Sequence, residues 1–203
     1  VRTHPFYGIL VANNVEDENM VERTSLSTQT MTASDYLALP ETTQPMELID
    51  GEVIMALAPS DLHQQLITQF VIAINAAQQN GSLRVAPIDV QLDKKTVVQP
   101  DVMWVGPDTS CKLIDGKYWA GPPDLVIEIF SPGSVRRDKT TKFDLYEKHG
   151  VKEYWMVDPH EAYIEVWVLT NDQFVHQGVY GRDDEFSSTV LGGATLNGKA
   201  IFA

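Results

Sequence analysis

The chain has 203 residues, a formal net charge of −13, 43% hydrophobic and 21% charged residues, the profile of a soluble globular protein with one domain and a tail. A single cysteine, Cys111, excludes a disulfide framework or a Cys-rich zinc module, and no apolar run approaches the ~20 residues of a membrane-spanning helix. The expectation is a cytoplasmic protein with no membrane partner, too acidic to coat nucleic acid generally but free to hold a local basic site.

Residues 1–31 carry the acidic run Glu16–Glu18 and a Thr/Ser/Gln-rich stretch. They read as a weakly ordered tail, in which Met20 and Met31 are candidate starts. A single domain is expected over 32–203. Thr32 or Ser34 can cap a short helix through Leu39, stopped by Pro40. Glu47 to Ile54 reads as a hairpin, because Asp50-Gly51 supplies the positive φ of a tight turn. Ser60 caps a long amphipathic helix with Leu62, Leu66, Ile67, Phe70, Val71 and Ile74 at helical spacing, closed by Gly81. Strands are predicted at Arg84–Leu92, Val97–Val105 and Asp124–Phe130. The last is almost wholly apolar, as in a strand buried on both faces. A helix over Asp138–His149 ends at Gly150, and strands follow at Glu153–Val157, Tyr163–Leu169 and Gln173–Tyr180. The order implies an α/β fold, a sheet covered by helices on both faces.

Two carboxylates interrupt predicted core strands. Glu128 lies within Leu125–Phe130, and Asp101 follows Pro100 in Val97–Val105. Burying an ionised carboxylate is costly without a cation, a metal or a proton. Two such acids on neighbouring strands would repel one another unless a divalent ion satisfied both, and oxygen-only donors favour Mg2+, with Mn2+ as the second choice. Six of the fifteen Lys and Arg residues fall in 136–155, either a solvated helix face or a cradle for a polyanion. Lys139 and Lys142, three apart, are expected on one helix face, from which either ammonium could reach the acids. His63, in the first turn of the long helix, is a candidate for proton transfer or phosphate contact, with a solvent-facing role as the plain alternative. Cys111 has no His partner pattern, and no glycine-rich phosphate loop or Gly-x-Ser-x-Gly elbow is present. Trp104, Trp119, Trp155 and Trp167 read as core and sheet residues.

The ordered series Glu47-Leu48-Ile49-Asp50-Gly51-Glu52, Pro59…His63, Pro100-Asp101, Gly121-Pro122-Pro123-Asp124…Glu128, Ser131-Pro132, Asp138…Lys142…Tyr146 and Gly150-Val151…Glu153-Tyr154-Trp155 resembles the Uma-two family, restriction-endonuclease-like proteins of the PD-(D/E)XK nuclease superfamily. The resemblance covers roughly residues 31–170. It implies a restriction-endonuclease-like fold with an αβββαβ core and a mixed central sheet. It also implies Asp101 and Glu128 as metal-binding acids with the carbonyl of Ile129, Glu47 completing the metal shell, and Lys142 as the site lysine, with Lys139 behind it. The superfamily pattern places a lysine two residues after the second acid, where this chain has Phe130, so the lysine must come from the following helix. The expected activity is Mg2+-dependent hydrolysis of nucleic-acid phosphodiester bonds, with DNA as the first choice, His63 assisting, and Arg136, Arg137 and Lys139 contacting the backbone. A homodimer, a partner protein, or a narrow substrate such as an end or a branched form would reconcile the net charge with such a substrate. The alternative is a catalytically weak or inactive member of the same fold acting as a binding or regulatory partner. A two-carboxylate glycosidase is a third and weaker reading.

Overall fold

A computed structural model of the chain describes residues 30–40, 42, 44–55, 58–78 and 80–203. The expected tail lies outside the described residues except for its last two positions. Helix α1, Ala33–Leu37, opens on a capping box in which the Thr32 hydroxyl accepts from the Asp35 amide and the Asp35 carboxylate accepts from the Thr32 amide. Strands β1 (Met46–Ile49) and β2 (Glu52–Met55) form the expected hairpin around Asp50 and Gly51, both at positive φ. Helix α2 spans Asp61–Ala77, with the Ser60 hydroxyl accepting from the His63 amide, and buries His63, Leu66, Ile67, Phe70 and Ile74. It stops short of the Gly81 end expected for it.

Strands β3 (Ser82–Val85), β4 (Val90–Asp93), β5 (Thr96–Val98), β6 (Val102–Val105), β7 (Lys112–Ile114), β8 (Tyr118–Ala120) and β9 (Leu125–Ile129) follow. Two predicted strands are therefore corrected. Arg84–Leu92 is broken at Ala86-Pro87 and Val97–Val105 at Gln99-Pro100-Asp101, and in each case the halves join different sheets. Proline offers no amide to a ladder and restricts the residue before it, so the chain leaves one sheet there and enters the other. Asp101 consequently sits at a crossover between sheets and not inside a strand.

The remaining elements are α3 (Val135–Arg137), a π-helical turn (Asp138–Lys142), α4 (Phe143–His149), β10 (Glu153–Asp158), β11 (Tyr163–Thr170), β12 (Gln173–Gly181), β13 (Glu185–Ser188), β14 (Ala194–Asn197) and α5 (Gly198–Ile201). One sheet runs β2-β1-β5-β4-β8-β7, the second β12-β11-β10-β9-β6-β3, and β13 pairs β14. The short strands β7, β8, β13 and β14 and helix α5 carry too few residues for a periodic signal and were not foreseen. Central β9 pairs parallel with β10 and antiparallel with β6. Both its faces are covered, by α2 with Trp155 on one side and by Phe130, Tyr146 and Tyr154 on the other, which accounts for its continuous apolar run. Glu128 shares the second face with Val126 and Phe130, beneath the π turn and α4. The mixed α/β architecture is that of a restriction-endonuclease-like fold.

A second buried acid is wholly structural. Glu153 on β10 accepts hydrogen bonds from the Trp155 indole, the Ser188 hydroxyl, both the amide and hydroxyl of Thr189, and the Val190 amide. It ties the loop after β13 to the central sheet. Glu153→Ala leaves those donors unmet and is expected to cost about 3 kcal/mol or more. A urea titration checks this, and a loss under about 1 kcal/mol would contradict the assignment.

Candidate active site

The Asp50-Gly51 turn sets the register of β1, which puts Glu47 at the inner end of the first sheet beside the Gln99 crossover. The Gln99 amide donates to Glu47 Oε1 at 2.8 Å. Two residues on, Asp101 spans from that crossover to the second sheet, its Oδ2 accepting from the Ile129 amide at 2.8 Å. That bond fixes the crossover acid to the end of β9, one residue from Glu128. His63 reaches Asp101 from the first turn of α2, with Nε2 3.0 Å from Oδ1. The ring of His63 is buried, and its Nδ1 has no hydrogen-bond partner among the described residues.

Lys142, at the end of the π turn, enters from the helix side and is 3% exposed. Its Nζ lies 2.9 Å from Glu47 Oε1 and 2.9 Å from Glu128 Oε1, with Asp138 Oδ1 at 4.0 Å. The Tyr146 hydroxyl, one α-helical turn beyond Lys142, donates to the same Glu128 oxygen at 2.7 Å. Phe130 fills the strand position where the superfamily pattern has a lysine, and it packs in the core with Tyr146. The ammonium beside Glu128 is that of Lys142.

Glu47, His63, Asp101, Glu128, Ile129, Asp138 and Lys142 line one cavity of about 1290 Å³. Burial holds Glu128 well above the usual carboxylate range. Asp101, Asp138 and Glu47 push it further, and the Lys142 charge opposes them. Burial likewise raises Asp138, against the pull of Lys142. Burial alone would lower Lys142, but Glu128, Glu47 and Asp138 more than offset it and hold the ammonium above the ordinary lysine value. The cluster is one fixed cation among four carboxylates.

Five sequence-derived residues, Glu47, His63, Asp101, Glu128 and Lys142, are thus brought together with the Ile129 backbone. Arg137 also lines the cavity. Arg136 is exposed and not among the lining residues, and Lys139 is turned away. The Lys139 ammonium pairs with Glu165 at 2.6 Å, over the rings of Phe130 and Tyr163. The expected common face for Lys139 and Lys142 is therefore corrected, because the wider i→i+5 turn between them separates their directions. Asp138 and Tyr146 were not given roles from sequence. Their spacing of four from Lys142 on either side was the available signal. Cys111 is buried, its thiol pushed up to about 12 mainly by burial, in keeping with an inert core position.

A family model described as Uma2, "Putative restriction endonuclease", matches residues 33–198. The chain belongs to the Uma2 family. The match runs from α1 to the start of α5 and so includes every residue of the cavity floor. The crystal structure of "a putative nuclease belonging to DUF820 from Anabaena variabilis ATCC 29413" is similar to this Uma2 chain with a TM-score of 0.69 and 23% identity, over 85% of this chain and 97% of that one. At that identity the likeness speaks for the fold. No curated protein matches this Uma2 chain.

The donor set can be tested for a metal on its own chemistry. Among the described residues no three His, Cys, Asp or Glu side chains stand grouped around one ion position, because Lys142 occupies the space between Glu47 and Glu128 while His63 engages Asp101. Two carboxylates and a carbonyl remain. They are hard oxygen donors, and the surplus of buried negative charge is what a divalent cation relieves. Neither Glu47 Oε2 nor Glu128 Oε2 makes a hydrogen bond among the described residues. The chemistry of these donors fits a hard divalent cation.

Proposed function

We propose that this Uma2 chain is a metal-dependent endonuclease that hydrolyses phosphodiester bonds in DNA. The observation that carries the reading is the meeting of Asp101, Glu128 and Lys142 on one cavity floor, from a sheet crossover, a central strand and a helix respectively. Mg2+ or Mn2+, held by Asp101, Glu128 and the Ile129 carbonyl with Glu47 alongside, would supply charge neutralisation at the phosphate and a lowered pKa for water. The residues of the chain do the rest. Asp101 is held in place by the Ile129 amide and by His63, whose role is to donate a proton to the leaving oxygen as its bond to phosphorus breaks. Lys142 keeps its charge among the carboxylates, so it can orient an attacking water and offset negative charge growing in the transition state. Tyr146 fixes Glu128 through one oxygen and leaves the other toward the cavity. Arg137 is positioned to contact a phosphate.

A specific observation also favours the non-catalytic reading: Lys142 bridges Glu47 and Glu128, an arrangement that can close the floor as a structural ion pair. One experiment separates the two. Supercoiled plasmid and oligonucleotides incubated with Mg2+ or Mn2+ should be nicked or cut, and a chelator should abolish the reaction. Metal binding by calorimetry with no cleavage of any nucleic acid would leave only the binding-partner role.

A further inference from the structure

The walls of the cavity say which form of nucleic acid it takes. The acids of the floor are deeply set: Glu47 and Glu128 are each 4% exposed. A phosphate must enter the cavity to reach them. Above the floor, the wall contributed by the first sheet ends in the β7–β8 hairpin. Its Asp115-Gly116 turn, at positive φ, presents Lys117 and Tyr118 to the cavity. Tyr118 is half-buried, while Lys117 is exposed. The lining also holds Ser131, Ser134 and Arg137, from the segment after β9, and the buried Nε of Arg137 has no partner among the described residues. Of the two lining tyrosines, Tyr36 is buried with its hydroxyl on the Met46 carbonyl, which leaves Tyr118 as the accessible ring, with Lys117 and Arg137 as cations beside the acidic floor. The lining as a whole holds six carboxylates against three permanent cations, and the chain is at −13.

A duplex brings one negative charge per ~1.7 Å of axis, twice the density of a single strand, so this lining repels it more. Its bases are stacked and its backbone is stiff, which keeps phosphates at a recessed floor out of reach without strand separation. A single strand bends into the cavity and offers unstacked bases to an aromatic ring. We infer that the cavity accepts a single-stranded DNA segment, with a base stacked on Tyr118 and backbone phosphates held by Lys117 and Arg137. Intact duplex is excluded until it frays. The inference rests on the hydrolytic reading above and narrows its substrate.

The test reads binding apart from cleavage. Fluorescence anisotropy of a labelled oligonucleotide, single-stranded or annealed into a blunt duplex, is measured with Ca2+ replacing Mg2+ over a salt series. The single strand should bind at least about tenfold more tightly than the duplex. Tyr118→Ala should weaken it by about tenfold, on the scale of one lost base–aromatic stack, and Tyr118→Phe should preserve it. Lys117→Ala and Arg137→Ala should each reduce the slope of log affinity against log salt by about 0.7, the value for one phosphate contact on a single strand. Equal or tighter duplex binding, or no response to Tyr118→Ala, overturns the inference. Single-strand binding with this mutational pattern but no cleavage by the Mg2+-loaded protein supports the inference and sinks the hydrolytic reading alone.

Discussion

Glu128→Gln and Asp101→Asn should each slow Mg2+-dependent cleavage at least a thousandfold, about 4 kcal/mol of lost transition-state stabilisation, while the protein stays folded. The amides keep the shape of the carboxylates but remove the charge that would hold the ion. The two variants should differ in stability, and that difference makes the pair informative. Glu128 is buried against Lys142 and Tyr146. Gln keeps an oxygen for Lys142 and Tyr146, and Glu47 and Asp138 still face the ammonium, so Glu128→Gln should fold with little penalty. Asp101 accepts from the Ile129 amide and faces His63, so Asp101→Asn keeps one acceptor oxygen but loses its charged partner for His63. Rates measured under single-turnover conditions, with circular dichroism as the fold control, check both. Either variant cutting at the parental rate would dissolve the proposed centre.

Lys142→Met carries the second large effect, on stability as much as on rate. The ammonium is the one permanent cation on a floor with Glu47, Glu128 and Asp138. Removing one member of a buried ion pair leaves its partners uncompensated and typically costs about 3–5 kcal/mol. The deficit should depend on pH with a definite sign. Glu128 and Asp138 have folded-state pKa values above the ordinary carboxylate values, so between the unfolded and folded values the native state binds more protons. Their contribution to stability is full below the unfolded carboxylate pKa and is lost as pH rises through the folded one. Without Lys142 that loss is deeper, so Lys142→Met should be severely destabilised near neutral pH and recover toward the parent near pH 4–5, where carboxylates ordinarily protonate. Denaturant titrations across this range check it. A deficit under 1 kcal/mol at neutral pH, or one independent of pH, would contradict the ion cluster as described. Cleavage should fall with either outcome, since among the described residues no other lysine meets Glu47 and Glu128.

Much of this could be read from the chain because several signals were local. The Asp50-Gly51 turn, the Ser60 cap and the apolar run read as Asp124–Phe130 each depend on a few adjacent residues; the first two stand where the sequence placed them and the strand stands one residue shorter at each end. Glu128 was legible as a charge in a strand with no wet face. Asp101 was legible for a partly different reason: Pro100 marks a departure from one sheet, and the acid belongs to the crossing and not to a strand. The direction of Lys139 was not legible, because a π turn has no composition of its own and only the register of Leu145 and Tyr146 in the core imposes it. The short strands of the first sheet were hidden for the same reason. Lys112–Ile114 and Tyr118–Ala120 form only because neighbours are there to pair with them. The cavity wall that they build, with Lys117 and Tyr118, could not be anticipated.

The Gln99-Pro100-Asp101 crossover has one more consequence. Glu47 is delivered by one six-stranded sheet, Glu128 by the other, and the crossover stitches both to a single peptide segment. Neither half of the protein owns a complete centre. Any partial opening that lets the sheets part, even with each sheet internally intact, dismantles the floor before the molecule unfolds, so the geometry of the proposed centre is itself a gauge of whether both halves are assembled.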